Sequence, residues 1–152
     1  MTEQQQRAQT DSGAQTSSEQ QPKRVAVLDD SSPFRMLVKQ ILETSKFKVD
    51  LFATGEDLLA WKNNSPDQYD LFICDVFLPG LNGMNVVETL RNHPLSRNIP
   101  ILLVTGEPSI EVITLSRKFM VNDFIGKPID PVVFMQRVKK LLFPPAKKVS
   151  AQ

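Results

Sequence analysis

Three short stretches of this chain are apolar at every position: residues 25–28, 71–74 and 101–104. A strand with one face in water alternates apolar and polar side chains, whereas a strand apolar throughout must be covered on both faces. Between these runs lie segments whose apolar residues recur at helical spacing. Phe34, Leu37, Val38, Ile41 and Leu42 form one such stripe, and Phe134, Met135, Val138, Leu141 and Leu142 another. Doubly covered strands alternating with amphipathic helices specify an α/β fold, with a parallel sheet between two helical layers.

The remaining elements follow from local signals. Ser32 before Pro33 reads as the cap and first turn of a helix. Residues 47–52 alternate in polarity, as a strand near a sheet edge does. Thr54, with Asp57 three residues on, caps a helix over about 54–63. Pro79, Gly80 and Gly83 mark a tight loop, after which Met84, Val87 and Leu90 line a helix that closes near Pro94. A helix over about 108–118 carries the β-branched Ile110, Val112, Ile113 and Thr114, so its intrinsic propensity is poor. Residues 122–125 make a short fifth strand. Asp130 caps a final helix from Pro131, and Pro144 with Pro145 stops it. In all, five strands alternate with five helices.

Residues 1–22 are rich in Gln, Ser, Thr and Glu and have almost nothing to bury, which predicts a disordered polar tail. Residues 23–143 read as one domain and 144–152 as a C-terminal tail, with no room for a second domain after Pro145. The net charge of +1 supplies no long-range field. Lys139, Lys140, Lys147 and Lys148 lack interleaved aromatic side chains, so direct nucleic-acid binding is not expected. No apolar stretch approaches the ~20 residues that span a bilayer, so no membrane association is expected. The sole cysteine, Cys74, lies in an apolar run and reads as a buried packing residue in a reducing compartment. With no apolar secretion segment at the N-terminus, the expected location is the cytoplasm.

In open parallel sheets, chemistry collects at the carboxyl ends of the strands. Those positions hold Asp29 and Asp30 after the first strand, Asp75 after the third, Thr105 after the fourth and Lys127 after the fifth. Three neighbouring carboxylates repel one another unless a cation is present. An oxygen-only donor set points to Mg²⁺. Lys127 is then free to pair with a phosphoryl oxygen and Thr105 to hydrogen-bond to another, leaving one carboxylate as a nucleophile that forms an acyl phosphate. Taken singly, each residue has an ordinary structural explanation, as a turn residue, a helix start or a strand end. Arg35 and Glu43 read as solvated helix positions, Trp61 as edge packing, and His93 as a loop residue without metal-binding partners.

Together these residues resemble a known family. Asp29 with Asp30, Asp75 with Pro79 and Gly83 beyond it, Thr105 with Gly106, and the run Phe124, Ile125, Gly126, Lys127, Pro128 resemble the response-regulator receiver signature of two-component signalling, most nearly the stand-alone chemotaxis-type regulators. The resemblance spans residues 23–143. It implies a flavodoxin-like strand order 2-1-3-4-5. It implies that Asp75 accepts a phosphoryl group from a sensor histidine kinase or histidine phosphotransfer protein. Asp30, Asp75 and the backbone carbonyl of Phe77 would hold Mg²⁺ directly, and Asp29 through water. Thr105 and Lys127 would sense the phosphoryl group, Thr105 and Phe124 would form the switch, and Phe77, Gly106 and Glu107 would set phosphate access and lifetime. The Lys127–Pro128 bond is often cis in that family.

Asn82, where an Asp is common, and the bulky Phe77 depart from the family pattern. The output would be a downstream effector protein docking on the face made by the fourth helix, fifth strand and fifth helix. An aspartyl-phosphate phosphatase is the enzymatic alternative, but it requires a second Asp where Phe77 stands. The chain is therefore expected to catalyse only its own phosphotransfer and dephosphorylation. A scaffold that no longer takes phosphate conflicts with the full set of acidic, hydroxyl and ammonium groups. A flavin or dinucleotide site conflicts with the glycine-free acidic loop after the first strand.

Overall fold

The computed structural model describes residues 21–60, 65–78 and 80–145. The polar tail up to residue 20, Trp61, Pro79, Lys147 and Lys148 lie outside the described residues. Among those described, the chain runs β1 (Arg24–Leu28), α1 (Ser32–Glu43), β2 (Lys48–Phe52), α2 (Gly55–Leu59), β3 (Leu71–Cys74), α3 (Gly83–Asn92), β4 (Ile101–Thr105), α4 (Ile110–Lys118), β5 (Asp123–Gly126) and α5 (Pro131–Leu142). All pairings are parallel, in the order β2-β1-β3-β4-β5. This is the doubly wound, flavodoxin-like arrangement that the sequence implies.

The strand periodicity of two sorts the core into two layers. Ala26, Leu28, Phe72, Cys74, Ile101 and Leu103 face one side and pack with Leu58 of α2, Val86, Val87 and Leu90 of α3, and Val112 of α4. Val25, Val27, Leu71, Ile73, Leu102 and Val104 face the other and pack with Val38 and Leu42 of α1 and Phe134, Val138 and Leu142 of α5. Both layers are apolar because β1, β3 and β4 are interior strands. The edge strands β2 and β5 are only partly buried, which is why they alternate or are short. Burial raises the Cys74 thiol to about 12, so it stays a protonated packing group.

Several local expectations shift. The cap of α1 is Ser31, not Ser32. The Ser31 hydroxyl accepts from Phe34 N–H, while the Ser31 N–H is held at 2.8 Å by Asp29 Oδ1. Leu37 is 41% exposed, because the face of α1 that meets the sheet is centred on Val38 and Leu42. Thr54 does cap α2 by accepting from Asp57 N–H, but the helix ends at Leu59, and the rest of the expected 54–63 segment lies largely outside the described residues. The fourth helix starts at Ile110 rather than 108, because Ser109 accepts from Val112 N–H.

Arg91, on α3, ties the edge of the fold together. Its guanidinium donates to the carbonyls of Ile99 and Phe119 and to Asn122 Oδ1, at 2.8, 2.9 and 3.0 Å. The C-terminal end of α4 is thereby anchored. No described helix is long and apolar enough to cross a membrane.

Candidate phosphoryl-acceptor site

Strand order reverses between β1 and β3, and the crevice above that switch point is where open parallel sheets place ligands. Register then sets the height of each side chain. Leu28 is opposite Cys74, so Asp29 and Asp75 leave their strands at the same level, and Asp75 N–H bonds to the Leu28 carbonyl at 2.9 Å. On the other flank Thr105 is opposite Gly126, and Lys127 N–H bonds to the Thr105 carbonyl at 2.8 Å. The peptide bond from Lys127 to Pro128 is cis.

The side chains converge. Carboxylate oxygens of Asp29, Asp30 and Asp75 all lie within 4.8 Å of one another. Lys127 Nζ donates to Asp29 Oδ2 at 2.7 Å and to Asp75 Oδ2 at 3.0 Å. Asp75 Oδ1 accepts from Phe77 N–H at 3.2 Å. Asp29 and Asp75 are buried, whereas Asp30 is exposed. Donors of this kind, oxygen only and in excess of the positive charge beside them, suit a hard divalent cation such as Mg²⁺.

Electrostatics bear out the crowding. Burial pushes the Asp75 carboxyl above its usual pKa, against the hydrogen bonds from Lys127 and Phe77, and the nearby Asp29 charge adds to the rise. For Lys127, burial works to lower the pKa, but the hydrogen bonds to Asp29 and Asp75 outweigh it and hold the ammonium above the usual lysine value. One lysine thus neutralises part of a three-carboxylate cluster. The remainder is the charge that a bound cation would balance.

The other expected residues have these surroundings. Thr105 is buried and its hydroxyl oxygen accepts from Glu107 N–H at 3.2 Å, which leaves its own proton free to donate. A Cβ added at Gly106 would meet only Lys127 Cβ, at 4.0 Å, so packing does not demand a glycine there. Phe77 is 47% exposed, and Glu107 is exposed as well. Phe124 packs, partly buried, against the α2–α4 side of the core.

Two residues contribute in ways not foreseen. Arg35, expected to be solvated, donates to the Asp29 carbonyl at 2.7 Å and so braces the turn that presents both acidic residues. The only trace of this in sequence is a basic residue one helical turn past the acidic pair. Gly83, expected in the tight loop with Pro79 and Gly80, belongs to α3, and a side chain there would overlap the carbonyl oxygen of Asp75. Its N–H also bonds to the Val76 carbonyl at 3.0 Å. Gly83→Ala is therefore expected to lower stability by about 2 kcal/mol and to weaken metal binding, as read by urea unfolding with and without Mg²⁺. Asn82 is the N-cap of α3, accepting from Met84 N–H at 2.7 Å, a task Asn performs as well as the more usual Asp.

Comparison with known proteins agrees with this geometry. The family model described as the response regulator receiver domain matches residues 25–139. The chain belongs to the response-regulator receiver family. Receiver domains are signal-transduction modules of two-component systems, and members bind Mg²⁺ in an acidic pocket of the kind formed by Asp29, Asp30 and Asp75. This receiver is 28% identical over 120 residues to the chemotaxis protein CheY1 of Helicobacter pylori, covering 78% of this chain and 96% of that one. It is also 28% identical over 122 residues to the 3',5'-cyclic-nucleotide phosphodiesterase regA of Dictyostelium discoideum, covering 78% of this chain but 15% of that protein. Two further curated relatives are likewise matched over only 18% and 17% of their lengths. Among solved structures, the Vibrio cholerae chemotaxis protein CheY4 superposes with a TM-score of 0.74 at 25% identity, over 80% of this receiver and all of CheY4.

Proposed function

We propose that residues 23–143 act as a phosphorylation-controlled interaction switch, with Asp75 as the phosphoacceptor. The convergence of Asp29, Asp30, Asp75 and Lys127 at the β1–β3 switch point carries this reading. The donor is a phosphohistidine on a sensor kinase or phosphotransfer protein. An Asp75 carboxylate oxygen attacks phosphorus, forming a mixed anhydride as the P–N bond breaks. The bonding electrons stay on the imidazole nitrogen of the donor.

Asp30, Asp75 and the Phe77 carbonyl would hold Mg²⁺, with Asp29 acting through water, and the bound cation would supply positive charge beside the phosphoryl oxygens. Lys127 pairs with a second phosphoryl oxygen, exchanging one carboxylate partner for it. Thr105 turns its free hydroxyl proton to a third. As Thr105 moves, Phe124 fills the space it leaves, and this shifts an existing equilibrium between two conformers. Gly106 keeps the phosphoryl group reachable, while Phe77 and Glu107 govern access of water and so the lifetime of the signal.

The output face is α4, β5 and α5, where Ile110 and Met120 are exposed and Arg137 pairs with Asp123 at 3.0 Å. An effector protein docks there in the phosphorylated state. Incubation with acetyl phosphate and Mg²⁺ is expected to give a protein-bound phosphoryl group that hydroxylamine removes and that EDTA prevents from forming. Labelling that is indifferent to EDTA, or resistant to hydroxylamine, would overturn the assignment.

A further inference from the structure

Phe34 lies on the first turn of α1, with the Lys127 ammonium over its ring, 4.3 Å from the centroid. That is within cation–π range. The ammonium therefore has three attractors: Asp29 Oδ2, Asp75 Oδ2 and the aromatic face. The two carboxylates are the groups that a divalent cation claims. Once one binds, their pull on the lysine weakens, and the cation itself repels the ammonium. The aromatic face is unaffected by that competition.

The lysine also has somewhere else to go. Beside it opens a largely apolar cleft of about 400 Å³ between α1 and the β5–α5 connection, lined by Ser31, Phe34, Leu37, Pro128 and Ile129. A four-carbon stem can lie along such a cleft and leave its ammonium in water. With a carboxylate pair alone to restrain it, Lys127 would swing out when metal enters, and each phosphoryl group would then have to recover it.

We propose that Phe34 is a positioning residue that keeps Lys127 in the site while metal occupies the carboxylates. This rests on the reading of Lys127 as a phosphoryl ligand. The affinity of a ligand falls in proportion to the fraction of protein in the competent arrangement. Phe34 raises that fraction without touching the phosphoryl group.

The test is calorimetric titration of beryllofluoride, a phosphoryl mimic, into the Mg²⁺-saturated chain and four variants. Phe34→Leu and Phe34→Met keep an apolar side chain but lose the π face, and Phe34→Tyr and Phe34→Trp keep it. The aliphatic variants are expected to bind beryllofluoride about five-fold more weakly, and the aromatic ones as wild type does. Aliphatic variants that match wild type overturn the proposal, and so does equal weakening in all four, which marks a packing role. A wild-type chain that binds no beryllofluoride overturns the functional reading itself, an outcome distinct from any ordering among the variants.

Discussion

Replacing Asp75 with asparagine is expected to reduce acetyl-phosphate labelling of this receiver to background and, in the same variant, to raise its melting temperature in EDTA. The first effect is chemical. Asparagine keeps the size of the side chain and one oxygen, which can accept from Lys127 or from Phe77 N–H but not at both positions, so one of the two hydrogen bonds is lost. A neutral amide, however, cannot attack phosphorus to give an acyl phosphate. The second effect follows from the raised pKa of Asp75, which records that the fold penalises its ionised form. An acid whose pKa is raised by folding contributes stability below its unfolded pKa and loses that contribution as pH climbs through the folded value. At neutral pH the ionised carboxylate therefore destabilises the metal-free protein, and removing its charge relieves Asp29 as well. The gain should vanish below the usual aspartate range, where both forms are neutral. Undiminished hydroxylamine-sensitive labelling of the variant would place the acceptor elsewhere, and a lower melting temperature at neutral pH would contradict the electrostatic account.

How far this centre could be read in advance depended on what kind of physics fixed each part. The strands at 25–28, 71–74 and 101–104 were legible because burial on both faces leaves a run with no alternation, and short-range pattern suffices to see it. Strand ends then fixed Asp29, Asp75, Thr105 and Lys127 along the chain, and the doubly wound topology brought them to one edge. Thr54 and Asp130 were legible as caps because each is the only good acceptor at its helix start. At α1 two serines precede one proline, and local preference cannot choose between them. The choice of Ser31 is made by Asp29 Oδ1, which takes the Ser31 N–H and so couples helix entry to the acidic pair.

What stayed hidden depends on contacts between separate elements. Arg35 looks like any helix-surface basic residue until its guanidinium is seen on the Asp29 carbonyl, a main-chain partner that leaves no residue-type signal. Arg91 is the same case, with carbonyls of two loops as its partners. Gly83 shows as a glycine, but the reason for it is the approach of the Asp75 backbone, which only the packing of α3 reveals. Leu37 matched the apolar stripe of α1 yet lies at its margin, because a five-residue stripe is wider than the face that meets the sheet.

Lys127→Met should produce the largest loss of stability, about 3 kcal/mol in the absence of metal, measured by urea unfolding in EDTA. Removing one partner of a buried pair leaves the other charge without compensation, and here two carboxylates are left. Asp29 is 1% exposed and Asp75 5%. The figure sits at the low end for such losses because the lysine side chain is itself 23% exposed, and water already screens part of the attraction. Lys127 adds its own pH dependence. Its pKa is raised in the fold, so its contribution is complete below the ordinary lysine value and disappears as pH rises through the folded one. At neutral pH the whole of it is therefore at stake. Magnesium held by these carboxylates would supply the missing positive charge, so saturating Mg²⁺ should return most of the lost stability. It should also stabilise the variant by more than it stabilises wild type, since no ammonium competes for the same oxygens. The rescue should not extend to signalling, because the ion would replace the charge of Lys127 but not the hydrogen bond proposed for it with a phosphoryl oxygen, and beryllofluoride affinity should stay low. A variant as stable as wild type in EDTA, or one that Mg²⁺ stabilises no further, would mean that the lysine and the metal do not share these carboxylates.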